Sequence, residues 1–171
     1  MNYSNTAASA QAALLAANLQ VLQQGADLLR HIDDEQYTLT ARPLFSYGVG
    51  SHLRHCLDFY QSFLAGIAQG RVDYDARERD ERTAQARDFA LARLARLTMS
   101  LPECLADTPV ALRVRQDGLP WAVSSVEREL QFLLSHTVHH FALIALILRL
   151  QGVEPGPEFG VAPATLEYWN R

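Results

Sequence analysis

Five of the six histidines of this chain fall into two short groups, and histidine is the side chain that most often binds transition metals. The later group consists of His136, His139 and His140, within the most apolar run of the sequence. Because His136 and His140 are four residues apart, a helix places both imidazoles on one face, where they can converge on one ion. His139 points about a third of a turn away, so we expect a packing residue or a residue that supports a ligand.

The earlier group, His52 and His55, has a spacing of three residues, so a helix again brings both rings to one face. Asp58 follows three residues further along that face. Its carboxylate has two equally favoured interpretations. It can accept a hydrogen bond from the second ring nitrogen of a ligand, or it can be a surface partner of an arginine.

Two histidines from the later group and one from the earlier group would complete a three-histidine site with open positions. Such open sites are typical of catalytic metals rather than of closed structural ones. The alternative is a set of structural histidines that are hydrogen-bonded to carboxylate or backbone oxygens. The presence of two groups favours the metal, but the spacing leaves open whether His52 or His55 is the ligand.

Other catalytic motifs are absent from the sequence. The paired histidines have no intervening glutamate, which excludes the HExxH motif of metalloproteases. Neither a glycine-rich phosphate loop nor a GxSxG motif occurs, and the lack of lysine excludes Schiff-base catalysis through that residue. A metal would therefore have to supply the chemistry itself, as a Lewis acid or by deprotonating a bound water or a substrate thiol.

Length and composition indicate one globular domain over residues 1–171, with 49% hydrophobic and 20% charged residues. The formal net charge is −4, and all 15 basic residues are arginines dispersed along the chain. This balance argues against a nucleic acid as partner. A small-molecule substrate is the partner that we expect.

The sequence also predicts a soluble, cytoplasmic protein with no membrane partner. Cys56 and Cys104 lie far apart without a CxxC pattern, which favours reduced thiols. The first residues lack the basic and apolar regions of a signal peptide. The longest apolar stretch, 141–148, is far shorter than the ~20 residues that cross a bilayer.

Hydrophobic periodicity predicts four helices. The first runs from about Thr6 to His31, and the second from about residues 47–51 to Gln69. The third ends before Pro102, and the fourth ends at Gly152. Two local features accompany them: a capping box of Ser124 and Glu127 at the start of the fourth helix, and an ion pair at helical spacing between Glu78 and Arg82.

Between the last two helices, alternating residues at 110–115 and 121–124 flank an Asp-Gly pair and predict a short β-hairpin. The segment 153–171 is rich in proline and glycine and predicts an extended C-terminal tail. Together these features predict an all-α fold: an antiparallel four-helix bundle with a short β-hairpin before the last helix. Such bundles commonly hold metal sites between facing helices.

The charged stretch from Val72 to Arg82 has two interpretations. In one, Tyr74, Arg77 and Arg79 frame the mouth of the site and bind an anionic group. In the other, which we favour, the stretch is a capped, ion-paired helix start, because surface charge runs are usually solvated.

At the two histidine groups the chain resembles the DinB-like, or YfiT-like, family of metal-dependent proteins. The stretch VGSHLRHCLDFY looks like the first histidine motif of that family, and SHTVHHFALIALILRLQG looks like the second. The resemblance implies metal ligands at His55, His136 and His140, with His52 as the alternate. The chain departs from the pattern at Phe141-Ala142-Leu143, where the family often has arginine, glycine and glutamine, so the substrate contacts are not implied.

The resemblance also implies a four-helix bundle, often dimeric, that binds nickel, zinc or another divalent ion. Its characterised members include transferases that act on low-molecular-weight thiols, and many members have no assigned activity. We therefore expect a homodimeric, metal-dependent thiol S-transferase or hydrolase. The alternative is a non-catalytic, stress-related module that binds a metal or a small molecule.

Overall fold

The computed structural model describes residues 3–40, 46–105, 111–169 and 171, apart from the side chains of residues 3–8. Helices dominate this part of the chain, which confirms the all-α prediction. The four long helices are α1 (Tyr3–His31), α3 (Val49–Ile67), α5 (Arg87–Cys104) and α6 (Val126–Leu150). Three short ones are α2 (Asp34–Thr38), α4 (Arg82–Gln85) and α7 (Pro163–Trp169). The antiparallel bundle and the single domain stay predictions.

The core lies where α1 and α3 each pack against both α5 and α6. A buried polar residue in this core, Asn18 of α1, joins three of the long helices. The Asn18 amide donates to the Leu130 carbonyl oxygen of α6 at 3.0 Å, and its Oδ1 accepts from the Tyr60 hydroxyl of α3 at 2.6 Å. Because buried polar groups are costly unless hydrogen-bonded, these bonds fix how the three helices meet.

The strands are β1 (Arg71–Asp73), β2 (Leu112–Arg115) and β3 (Ala122–Ser124), in the order β1-β2-β3. The β2–β3 pair is antiparallel, which confirms the hairpin, except that Val110 lies outside the described residues. At its turn Asp117 and Gly118 have φ values of 58° and 70°, and the Leu119 N–H donates to the Gln116 carbonyl at 3.0 Å. Positive φ at both central positions is typical of a type I′ turn. The parallel strand β1 was not predicted.

Two helix predictions were wrong at their ends. Helix α5 continues through Pro102 to Cys104, since a proline fits helical φ and here removes a hydrogen bond only in the last turn. Helix α6 is capped by Ser125, whose Oγ accepts from the Arg128 N–H at 3.2 Å. The Ser124 hydroxyl instead donates to the buried Glu129 carboxylate.

Two other local predictions were also wrong. Arg82 pairs with Asp80 at 2.7 Å and not with Glu78, because the chain becomes helical only at Arg82. The C-terminal segment is extended only in part, since residues 163–169 form α7.

Helix α6 has 25 residues and is long and apolar enough to cross a membrane by those criteria alone. The prediction rested on the uninterrupted apolar run 141–148 alone and therefore did not identify the whole helix as a candidate. It is the one such helix in the described part of the chain. A core helix of a soluble protein meets the same criteria, and α6 has ten buried residues facing its neighbours.

The start of α3 lies very close to α4. A Cβ atom on Gly50 would lie 2.2 Å from the Ala84 carbonyl oxygen, so no larger residue fits there without a shift of the backbone. This contact sets the position of the first turn of α3, which carries His52.

Candidate metal centre

Three imidazoles meet between α3 and α6. His55 comes from α3, and His136 and His140 come from successive turns of α6. One ring nitrogen of each lies within 4.8 Å of those of the other two, and the Nε2 atoms of His55 and His136 are 3.2 Å apart. The structure thus brings together the three residues that the sequence and its resemblance predicted as ligands.

This spacing fits a shared metal ion. Zinc–nitrogen bonds are ~2.0–2.1 Å, so two nitrogens on one tetrahedral ion are ~3.4 Å apart. All three donors are neutral nitrogens, a set that suits zinc, nickel, copper or iron better than magnesium or calcium. The donor set and spacing therefore match a divalent transition metal.

His52 lies beside this group and contacts one member. Its Nδ1 is 3.0 Å from the Nδ1 of His140, so one of these nitrogens donates a hydrogen bond to the other. That bond leaves Nε2 of His140 as the nitrogen available to a metal. His52 is thus placed to orient a ligand, as hydrogen-bonded neighbours of ligating histidines commonly do.

Burial keeps the three imidazoles uncharged. Desolvation is the largest cause that lowers their pKa values, to about 4 for His55 and His136 and to about 3 for His140. Nearby positive groups lower these values further, above all Arg77 for His55. Desolvation likewise lowers the pKa of His52. At neutral pH the rings are therefore uncharged, and each has one nitrogen with a free lone pair, which is the state that binds metals.

Comparison with protein families gives a match over nearly the whole chain. The model of the DinB family matches residues 1–167, a range that includes both histidine groups. The chain belongs to the DinB family. A search of the curated proteins found no match.

In this DinB-family protein, Asp58 does not support a histidine. It is 1% exposed, and its two oxygens accept from Arg93 at 3.0 Å and from Arg54 at 3.3 Å. Burial raises the pKa of Asp58, and the two arginines oppose that rise. The hydrogen bonds found in the described part of the chain do not join it to any imidazole. The Arg93–Asp58 pair instead ties α5 to α3 one turn beyond His55.

His139 is exposed, and its ring centre is 5.2 Å from that of His140. It stands outside the three-histidine group, as the difference in helical face predicted. The buried nitrogen Nδ1 of His136 has no hydrogen-bond partner among the described residues, so no hydrogen bond at that nitrogen orients the ring.

An aromatic wall that the sequence reasoning missed closes one side of the cluster. The Phe59 ring centre is 5.0 Å from that of His55 and 4.5 Å from that of His136. The Phe132 ring is 5.5 Å from His136. The sequence spacing could have predicted these contacts, because each phenylalanine is four residues from one of these histidines on the same helix.

The three residues of the charged stretch have different positions. Arg77 lies over the Phe59 ring, with its Cζ 4.8 Å from the ring centre, whereas Arg79 is exposed. Tyr74 is buried, and its hydroxyl donates to Glu129 at 2.8 Å. Residues 77–80 are not helical, so the favoured interpretation as a helix start was wrong there.

A cavity of about 580 Å³ lies elsewhere, between α1 and residues 153–159. Its lining includes His31 but none of the clustered histidines. The cavity and the histidine cluster are therefore at different places in the structure.

The metal-free protein should lose stability as the pH falls. The pKa values of the three clustered histidines are below the ordinary 6.5 in the folded chain, so the unfolded chain takes up protons first. Their contribution to the free energy of unfolding should be constant above about pH 6.5 and decrease from there to about pH 3, the pKa of His140. Urea unfolding across this range measures the effect.

The matched comparison is His140→Gln against His31→Gln. Replacing His140 removes one imidazole whose pKa is lowered in the folded protein, so the free energy of unfolding should depend less steeply on pH. Replacing the exposed His31, which lies outside the cluster, is the control. Equal pH slopes for the wild type and the His140→Gln variant would contradict the account.

Proposed function

We propose that this protein is a divalent-metal-dependent enzyme that handles small thiols, as an S-transferase or a hydrolase. His55, His136 and His140 would hold the ion, with nickel or zinc as the favoured metals. The observation that carries the proposal is the convergence of three neutral ring nitrogens within 4.8 Å, without a carboxylate or thiolate among them. Three protein ligands leave open positions for a substrate.

A divalent ion at this site would lower the pKa of a thiol or of water and so favour a nucleophile at neutral pH. Residues around the ligands would orient the imidazoles and limit the access of water. His52 holds the ring of His140, while Phe59 and Phe132 exclude water from one side of the imidazoles. In thiol transfer the sulfhydryl proton goes to solvent, the sulfur bonds to the electrophilic atom of the substrate, and the leaving group departs with its electron pair.

The proposal extends to the state of the whole protein. We place it in the cytoplasm as a homodimer of single-domain chains, each with α1, α3, α5 and α6 as an antiparallel bundle, and with neither nucleic acid nor membrane as partner. The net charge of −4 supports the exclusion of nucleic acid. Leu146 and Leu150 of α6 are 50% and 54% exposed, which is compatible with burial against a second copy. A monomeric mass in sedimentation at micromolar concentration would contradict the dimer.

Metal analysis tests the assignment of ligands. Chelator-treated protein reloaded with zinc or nickel and freed of excess ion should retain about one ion per chain, because three histidines converge on it. His55→Gln, His136→Gln and His140→Gln should each lose that stoichiometric ion, as elemental analysis would show.

His31→Gln and His139→Gln serve as controls, because each removes an imidazole that lies outside the group. They should keep the full metal content. Retention of the ion by all three ligand variants, or its absence from the wild type, would overturn the metal proposal. Metal-dependent consumption of a thiol with an electrophile then tests the enzyme proposal.

A second candidate function rests on His52. Its ring nitrogen is only 3.0 Å from that of His140, so a small ring movement would offer the ion a fourth imidazole. A closed four-histidine sphere would leave no position for substrate and would suit a non-catalytic, metal-binding module.

The His52→Ala variant separates the two functions. If His52 only orients His140, the variant should keep one ion per chain with an affinity lower by about 10–100-fold. The number of metal-bound waters, from relaxation of the manganese- or cobalt-loaded protein, should then be the same as in the wild type. An added water in the variant would indicate that His52 is itself a ligand and would favour the non-catalytic module.

A further inference from the structure

The charge around the histidine cluster is unbalanced. The three ring nitrogens are neutral, and the neighbouring acid, Asp58, is already bonded to Arg93 and Arg54. A divalent ion at this site would therefore keep its full positive charge. Oppositely charged groups are attracted strongly in such half-buried surroundings, where water screens less.

Arg77 adds a fixed positive charge next to this cluster. Its guanidinium stacks on Phe59, with the Cζ atom 4.8 Å from the ring centre, and one of its amino groups donates to the Tyr74 carbonyl at 2.6 Å. Phe59 in turn packs against His55 and His136. The distance from Cζ of Arg77 to the His136 ring centre is therefore no larger than the Arg77–Phe59 distance plus the Phe59–His136 distance.

The described residues occupy only a small part of the hydrogen-bonding capacity of Arg77. A guanidinium has five N–H donors, and one contact to a backbone oxygen occupies only part of them. In the described part of the chain no carboxylate forms an ion pair with Arg77, whereas Arg54, Arg93 and Arg115 each have at least one such partner. Stacking restricts the side chain in advance, so less entropy is lost when its planar fork binds a ligand.

We infer that Arg77 recognises a carboxylate on the small thiol that binds at the three-histidine site. The planar guanidinium matches the two oxygens of a carboxylate, while the sulfur occupies the open side of the imidazole cluster. The inference rests on the proposed function, since it needs a metal that accepts the sulfur. It makes Arg77 a specificity-determining residue rather than a ligand.

The neighbouring cations fit this role less well. Arg79 is exposed and has no aromatic platform among the contacts of the described residues. Arg128 lies over Phe132 at 5.8 Å, a longer contact, and is also exposed. The Tyr74 hydroxyl is committed to Glu129 inside the core.

Binding of two matched probes tests the inference without an activity assay. 3-Mercaptopropionate carries a carboxylate, and 3-mercaptopropionamide is its uncharged analogue of the same size. Calorimetry on the zinc-loaded protein gives a ratio of the two affinities. The intrinsic acidities of the thiols differ, but that difference cancels when the ratio is compared between variants.

Arg77→Gln should reduce this ratio by about tenfold or more, because a charged hydrogen-bonded pair is lost. The affinity for the amide should stay the same. Arg77→Lys keeps the charge without the planar fork and should give an intermediate ratio. Arg113→Gln, which removes an exposed arginine on β2, should keep the wild-type ratio and controls for net charge.

Each outcome bears on one claim. If the wild type and the Arg77 variants bind zinc stoichiometrically but share one ratio, the inference about Arg77 is wrong and the metal proposal stands. If the wild type binds no zinc, both fall. If Arg77→Gln fails to fold, a full wild-type ratio in folded Arg77→Lys overturns the inference, and a reduced ratio supports it.

Discussion

Four imidazole rings share a small, partly desolvated space between α3 and α6, and this crowding decides most of what the region can do. Burial disfavours their charged forms, so at neutral pH they present lone pairs and single N–H groups to one another. Two such nitrogens can share a proton, as those of His52 and His140 do. Three neutral ring nitrogens that converge in this way can direct their lone pairs at one metal ion.

Contacts between the helices fix the positions of these rings. Asn18 joins α1, α3 and α6 in the core, and the Arg93–Asp58 pair joins α5 to α3 next to the histidines. Removing one partner of such a buried pair is typically costly, at about 3–5 kcal/mol. Because Asp58 is neutralised there, it contributes no free negative charge to the site. One interaction thus both positions α3 and leaves the cluster positive when it holds an ion.

The local spacing of residues allowed much of the site to be predicted. His136 and His140 share a face because a helix repeats every 3.6 residues, and the Asp-Gly pair marked the hairpin turn. The partner of Asp58 could not be predicted, since Arg93 lies 35 residues away and meets it only through packing. Strand β1 was missed because three residues with one buried side chain give no periodic signal. The same applies to helix α4, which has four residues and approaches Gly50 of α3 closely.

Diffraction from crystals of the zinc- or nickel-loaded protein, with anomalous scattering at the absorption edge of the metal, tests the central claim most directly. The account predicts one anomalous peak between α3 and α6, ~2.0–2.1 Å from one ring nitrogen each of His55, His136 and His140. A position open to solvent should remain on that ion. A fully loaded crystal with its peak at another place, and with these imidazoles bonded only to one another, would contradict it.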